Sequence, residues 1–252
     1  MTTDQAAKGG NGAPPIVKLT GISKVYSRGG ESVHVLEGLD LDVPAGSYEA
    51  LMGPSGSGKT TLLNLIAGLD RPSQGSVEVA GKRLEGMGEG GLAKWRSTTI
   101  GFVFQSYNLL PVLTAAENVE LPLLLTKLGS AERKKRALTA LRVVGLEERS
   151  QHYPRQLSGG QEQRVAIARA IVNDPTIIVA DEPTGDLDAK SAEEILGLLV
   201  DMNRQFQKTI VMVTHDPRAE RYVDTVYRLD KGVLAGVEPG KRGAPADAAA
   251  HA

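Results

Sequence analysis

Apolar and polar positions along this chain follow one period, then another, and the changes mark the elements. Ile16–Tyr26 and Val33–Val43 alternate apolar with polar side chains, the two-residue period of half-buried strands. Ser47–Met52 is a short strand that feeds a Gly-rich stretch. From Lys59 to Ala67 the period lengthens: Leu62, Leu63, Leu65 and Ile66 make one apolar helix face, and Gly68 fits a left-handed stop. Ser76–Ala80 and Thr99–Phe104 predict two more strands. From about 114 to 172 strand signals are missing. Thr114-Ala115-Ala116-Glu117 fits a capping box that starts a helix. Ser130-Ala131-Glu132 opens another to about Val144, and its basic run Arg133–Arg136 is a solvated face. Asn173-Asp174-Pro175 stops a third. The apolar run 176–180 predicts a buried strand. Asp188 then caps a helix reaching about Phe206, with Ile195, Leu199, Met202 and Phe206 as one core stripe. Thr209–Thr214 is a strand, and Thr225–Leu229 with Val233–Ala235 closes as a hairpin around Asp230-Lys231-Gly232. The pattern predicts an α/β domain over 16–237 with a helical insert at about 114–172. Residues 1–15 and 238–252, Gly-, Ala- and Pro-rich without periodicity, are expected to be disordered tails.

Composition narrows the function classes. A net charge of −1 gives no electrostatic reason to expect nucleic acid as the main partner. With no cysteine, disulfides and thiolate metal sites are excluded, which suits the cytoplasm. No stretch reaches the roughly 18 uninterrupted apolar residues of a spanning helix. The first residues show no secretory pattern, so the chain is expected to reach a membrane only through a partner.

Two motifs carry phosphate chemistry. Gly53-Pro54-Ser55-Gly56-Ser57-Gly58-Lys59-Thr60 fits GxxxxGK[ST] between a predicted strand and a predicted helix. In that context backbone N–H groups and Lys59 surround the nucleotide phosphates, with Lys59 bridging the β- and γ-phosphates. Thr60 is placed to ligate Mg²⁺, and Thr61 adds a hydroxyl. The run Ile177-Ile178-Val179-Ala180 ends in Asp181 and Glu182, where the first acid holds Mg²⁺ through water and the second acts as base or orients the attacking water.

Between them lies Leu157-Ser158-Gly159-Gly160-Gln161, followed by Glu162-Gln163-Arg164-Val165-Ala166-Ile167-Ala168-Arg169-Ala170. This segment resembles the signature of ABC-type ATPases, and the resemblance covers about residues 16–236. It implies a P-loop NTPase core with an antiparallel β subdomain and an inserted α-helical subdomain. It further implies ATP and Mg²⁺ as ligands. By its matches, Gln105 after Gly101-Phe102-Val103-Phe104 is the glutamine that touches the Mg²⁺ and water region and senses a transport partner. His215 in Val213-Thr214-His215-Asp216 is the histidine at the γ-phosphate, and Tyr26 is the aromatic that stacks on adenine. Gly185-Asp186-Leu187-Asp188 is the loop that crosses a dimer. Ser158 and the N–H groups of Gly159 and Gly160 open a helix as an anion site. In the family this signature, Gln161 included, caps the γ-phosphate held by the opposite protomer, so one P-loop and one signature per chain imply a homodimer.

Gln105-Ser106-Tyr107-Asn108-Leu109-Leu110-Pro111, the segment Thr114–Pro122 and Ala180–Asp188 are similar to the lipoprotein-releasing and macrolide-exporting group, in which Asn usually stands at the position of Asp186. That resemblance implies an integral membrane permease as partner, at the inner face of the cell membrane. The alternatives are a signalling complex that moves no substrate and a soluble ATPase acting on ribosomes or nucleic acid. One nucleotide domain and no long heptad segment argue against the last. Leu109, Leu110, Val112 and Leu113 either dock the permease or fill the core of the helical insert.

Overall fold

The computed structural model describes residues 14–242. In chain order its elements are β1 (Val17–Arg28), β2 (Glu31–Val43), β3 (Tyr48–Met52), α1 (Lys59–Ile66), β4 (Gln74–Val79), β5 (Lys82–Arg83), α2 (Glu89–Thr99) and β6 (Ile100–Val103). There follow α3 (Ala115–Glu120), α4 (Ser130–Val143), α5 (Gly159–Ile171), β7 (Ile177–Asp181), α6 (Ala189–Phe206), β8 (Thr209–Val213), β9 (Thr225–Asp230) and β10 (Val233–Pro239). The strands form two sheets. One is antiparallel with order β2-β1-β4-β5, and the other runs β10-β9-β3-β8-β7-β6, parallel except for β10.

Two apolar clusters separate the layers. Leu62, Leu63, Leu65 and Ile66 of α1 pack with the antiparallel sheet, Leu92 and Trp95 of α2, and one face of the large sheet. Val119, Leu141, Val165 and Ile167 from the helical segment, with Ile195 and Leu199 of α6, cover the other face. Helix α1 has eight residues and no side-chain cap, well short of the roughly 12–15 residues a helix needs to persist alone. Burial of its four apolar side chains, each worth about 1.5–3 kcal/mol, holds it in place.

Register decides where the chemistry converges. In the parallel set Leu51 of β3 and Asp181 of β7 both pair with Val213 of β8, while Val103 of β6 pairs with Ala180. The carboxyl ends of four adjacent strands therefore finish abreast, as open α/β sheets do where they bind ligands.

Two expectations need correction, and one helix was not anticipated. Phe206, counted with the core stripe, is 48% exposed, because in the last turn of α6 Asn203 takes the inward position and donates to Gly46 O and Lys208 O, both at 2.8 Å. The expected tail does not begin at 238: Glu238 and Pro239 pair with Val226 and Thr225 in β10, and Lys241 and Arg242 are tied to Glu220 and Asp224. The remainder of both expected tails, apart from Pro14, Pro15 and Gly240, lies outside the described residues. Helix α2 was not anticipated, because its Gly-rich start dilutes a helix spacing carried by Leu92, Trp95 and Thr99.

Candidate functional site

The Gly-rich loop leaves β3 in a conformation that only glycine supports at two points. A Cβ on Gly53 would stand 2.0 Å from Leu229 O, and one on Gly58, at φ +97°, would stand 2.7 Å from Leu36 Cδ2 and 2.8 Å from Val35 O. Gly56 adds a second left-handed residue, at φ +78°. Lys59 is buried, and its ammonium donates to Gly53 O and Pro54 O at 2.9 and 2.8 Å. The loop thus coils round its own lysine, with Pro54, Ser55 and Ser57 making up the turn.

At the next residue the two phosphate motifs meet. Thr60 Oγ1 donates to Asp181 Oδ1 at 3.2 Å, although the residues are 121 positions apart. Burial pushes the Asp181 carboxyl above its ordinary value; the Thr60 hydroxyl and the Lys59 charge pull the other way, and Glu182 adds repulsion. Glu182 has a left-handed backbone at φ +48°. Such a conformation costs about 1–3 kcal/mol and needs surroundings that impose it. They do: its N–H donates to Val213 O at 2.9 Å, and its carbonyl accepts from Gly185 N at 3.0 Å. Its carboxylate lies 2.6 Å from His215 Nδ1. The two side chains share a cleft with Thr184, Gly185, Thr214 and Arg218.

The remaining expected residues are placed as follows. Gln105, two positions beyond β6, donates from Nε2 to Asp186 Oδ1 at 3.0 Å; no hydrogen bond among the described residues takes it to Thr60 or Asp181. Tyr26 stands beside the Thr61 hydroxyl, donates to Asp70 Oδ2 at 2.6 Å, and carries Lys24 Nζ 4.6 Å above its ring centroid. Ser158 caps α5: its side chain accepts from Gln161 N, and its own N–H donates to Gln161 Oε1 at 3.0 Å. A Cβ on Gly159 would stand 3.0 Å from Tyr107 Oη, and one on Gly160 would stand 3.1 Å from Ser191 Oγ. Among the described residues no hydrogen bond joins 158–161 to 53–61. The strand ends therefore gather Lys59, Thr60, Thr61, Asp181, Glu182 and His215, with Tyr26 beside Thr61, while the signature packs against Tyr107, Leu187 and Ser191. Missed from sequence were the supports: Lys24 and Asp70 around Tyr26, and Gln163 and Arg169 on α5. Lys24 stands in the motif Lys24-Val25-Tyr26, and Gln163 and Arg169 follow the signature, but nothing local marks what any of them touches.

A family model described as ABC transporter matches residues 36–185, over half of the chain. The chain belongs to the ABC transporter ATP-binding family. As a member it is an ATPase, and its fold is that of an ABC cassette. It is similar to the lipoprotein-releasing system ATP-binding protein LolD of Chromohalobacter salexigens, 48% identical over 220 residues, covering 87% of this chain and 93% of that one. It is also similar to the macrolide export ATP-binding/permease protein MacB of Wolinella succinogenes, 46% identical over 220 residues, 87% of this chain but 34% of that longer protein. Among solved structures it resembles the ATP-binding cassette MJ0796 of Methanocaldococcus jannaschii, dimeric in a post-hydrolysis state with ADP and Pi. That match has a TM-score of 0.82 and 44% identity, over 90% of this chain and 99% of the other. Among the described residues of this ABC ATPase no helix is long and apolar enough to cross a membrane.

Proposed function

We propose that this ABC ATPase hydrolyses ATP as a homodimer and drives an integral membrane permease from the cytoplasmic face, in export or lipoprotein release. The observation that carries the catalytic reading is the meeting of Thr60 with Asp181 beside the Glu182–His215 pair. The working unit is assigned to about residue 16 through the end of β10, with 114–172 its helical part.

On this reading Tyr26 stacks on adenine, and the loop Gly53–Gly58 with Lys59, Thr60 and Thr61 holds the phosphates. Thr60, Asp181 and Gln105 offer hydroxyl, carboxylate and amide oxygens, a hard donor set that suits Mg²⁺ with water and phosphate completing its shell. Mg²⁺ held there would supply positive charge that offsets the negative charge of the phosphates during transfer. Glu182 takes a proton from the attacking water as its oxygen bonds to the γ-phosphorus and the bond to the bridging oxygen of ADP breaks. His215 orients Glu182 through Nδ1 and turns the rest of its exposed ring to the γ-phosphate. Ser158, Gly159, Gly160 and Gln161 close over ATP held by the partner. The dimeric cassette that this chain resembles supports a second copy as the recipient.

The names of the LolD and MacB relatives support export or lipoprotein release. The permease surface is assigned to Gln105–Pro122. Leu110 is exposed, and Val112 is 78% exposed, while Leu109 packs on the core. This arrangement supports docking for the first two and a core role for the third. Asn118, buried, braces the segment by donating to Leu110 O, Leu113 O and Thr114 O.

Glu182→Gln tests the catalytic assignment. The amide matches the carboxylate in size but is a poor base, so turnover is expected to fall on the order of 100-fold or more while ATP binding persists. Turnover near wild type rejects Glu182 as the base. For the surface, Leu110→Asp is expected to stay folded and bind ATP yet leave the membrane fraction when the permease is co-expressed. A folded, membrane-bound variant rejects this docking face.

A further inference from the structure

Gln163 lies one and a half turns into α5 and has no solvent exposure. Its Nε2 donates to Pro183 O at 2.6 Å and points to Phe104 O at 3.4 Å. Phe104 directly precedes Gln105, and Pro183 directly follows Glu182. One amide therefore touches the peptide beside each of two proposed catalytic residues, from the helix that opens at Ser158. Its Oε1 is buried without a partner among the described residues. An unpartnered buried carbonyl is unfavourable, so packing alone gives no reason for an amide; a methionine fills the same space without that cost. The two donors are the reason.

The far end of the Gln105 loop is fastened to the same helix. The Arg169 guanidinium donates to Tyr107 O at 2.6 Å and Asn108 O at 2.5 Å, holding two residues whose φ angles are +49° and +51°. Gln105 itself reaches across to Asp186, and Gly185 packs close against its amide, where a Cβ would stand 3.0 Å from Gln105 Nε2. The loop after β6, the segment after β7 and the start of α5 are thus connected through one buried side chain.

We propose that Gln163 is a positioning residue for ATP hydrolysis: it fixes the peptides beside Gln105 and Glu182 to the signature helix, so that movement of the Gln105 loop is transmitted to Glu182. This rests on the reading that Glu182 and Gln105 act on ATP. Glu182→Gln is therefore assayed in parallel.

The test is Gln163→Met in the full chain, with steady-state ATPase, nucleotide affinity and thermal unfolding measured together. A misplacement of catalytic groups predicts a kcat lower by about 10- to 100-fold, with KM and nucleotide Kd within about twofold of wild type. A purely structural role predicts a changed Tm with kcat per folded molecule intact, and that result overturns the proposal. In a Gln105→Ala background the same substitution is expected to lower kcat by less than about twofold, since coupled residues do not add. An equal loss in both backgrounds also overturns it. Should Gln163→Met fail to fold, Gln163→Asn serves, because its amide is one methylene too short to span both carbonyls; full kcat in that variant is contrary to the proposal. Near-normal turnover of Glu182→Gln removes the parent reading as well. Loss there beside an unaffected Gln163→Met removes this inference alone.

Discussion

The hydroxyl of Tyr26 is anchored by Asp70, and Asp70 is itself held by Lys24 at 2.6 Å. Burial alone raises the Asp70 carboxyl, but the hydrogen bonds from Lys24, Tyr26 and the Arg71 N–H outweigh it and hold it below its ordinary value. Lys24 lies over one face of the ring, and on the proposed reading adenine takes the other face. Tyr26→Ala is expected to weaken ATP binding by about 1–3 kcal/mol, chiefly in KM. Tyr26→Phe keeps the ring, and Lys24 still satisfies Asp70, so calorimetric titration of ATP is expected to show most of the affinity retained. Equal affinity for the alanine variant returns Tyr26 to an ordinary strand residue. Tyr26 was singled out by the resemblance alone, through its place in Lys24-Val25-Tyr26. Lys24 and Asp70 were not legible as its supports, since the Asp70 partners are contributed by a strand 44 and 46 residues away.

Element boundaries followed local chemistry wherever a cap or a stop was strong. Thr114 and Glu117 form the expected reciprocal box, with Thr114 N donating to Glu117 Oε2 at 2.8 Å, and Asp188 caps α6 by accepting from Lys190 N and Ser191 N. Elements set by distant partners were less legible. The two-residue β5 exists through pairing with Glu78 and Val79, and the last residues of β10 through Thr225 and Val226. At that end Lys241 hydrogen-bonds Glu220 and holds its carboxylate below its ordinary value; burial opposes this, and Arg228 adds to it. A depressed folded value means that the stabilisation is present above the unfolded value of 4.5 and is lost as pH falls through the folded one. Glu220→Gln is expected to cost about 1 kcal/mol at pH 7. Urea unfolding at a series of pH values checks this: the difference from wild type is expected to vanish in acid, and a pH-independent difference contradicts it.

At the scale of the whole molecule, the parallel sheet brings Lys59, Thr60, Asp181 and Glu182 to the carboxyl ends of its strands, while Ser158, Gly159 and Gly160 open α5. The sequence order of the motifs alone does not say which protomer the signature serves; the resemblance implies the opposite one, and α5 itself packs with the helical segment against one face of the sheet. The central claim is that each hydrolytic site joins Lys59 of one protomer to Ser158 of its partner. Mixing two inactive variants tests it most directly. Lys59→Ala and Ser158→Arg homodimers are each expected to be nearly inactive, whereas their heterodimer has one site with both defects and one with neither. Random exchange in an equal mixture predicts recovery of about a quarter of wild-type ATPase activity. Activity that stays at the level of the separate variants, with heterodimers demonstrated by native mass spectrometry, contradicts the account.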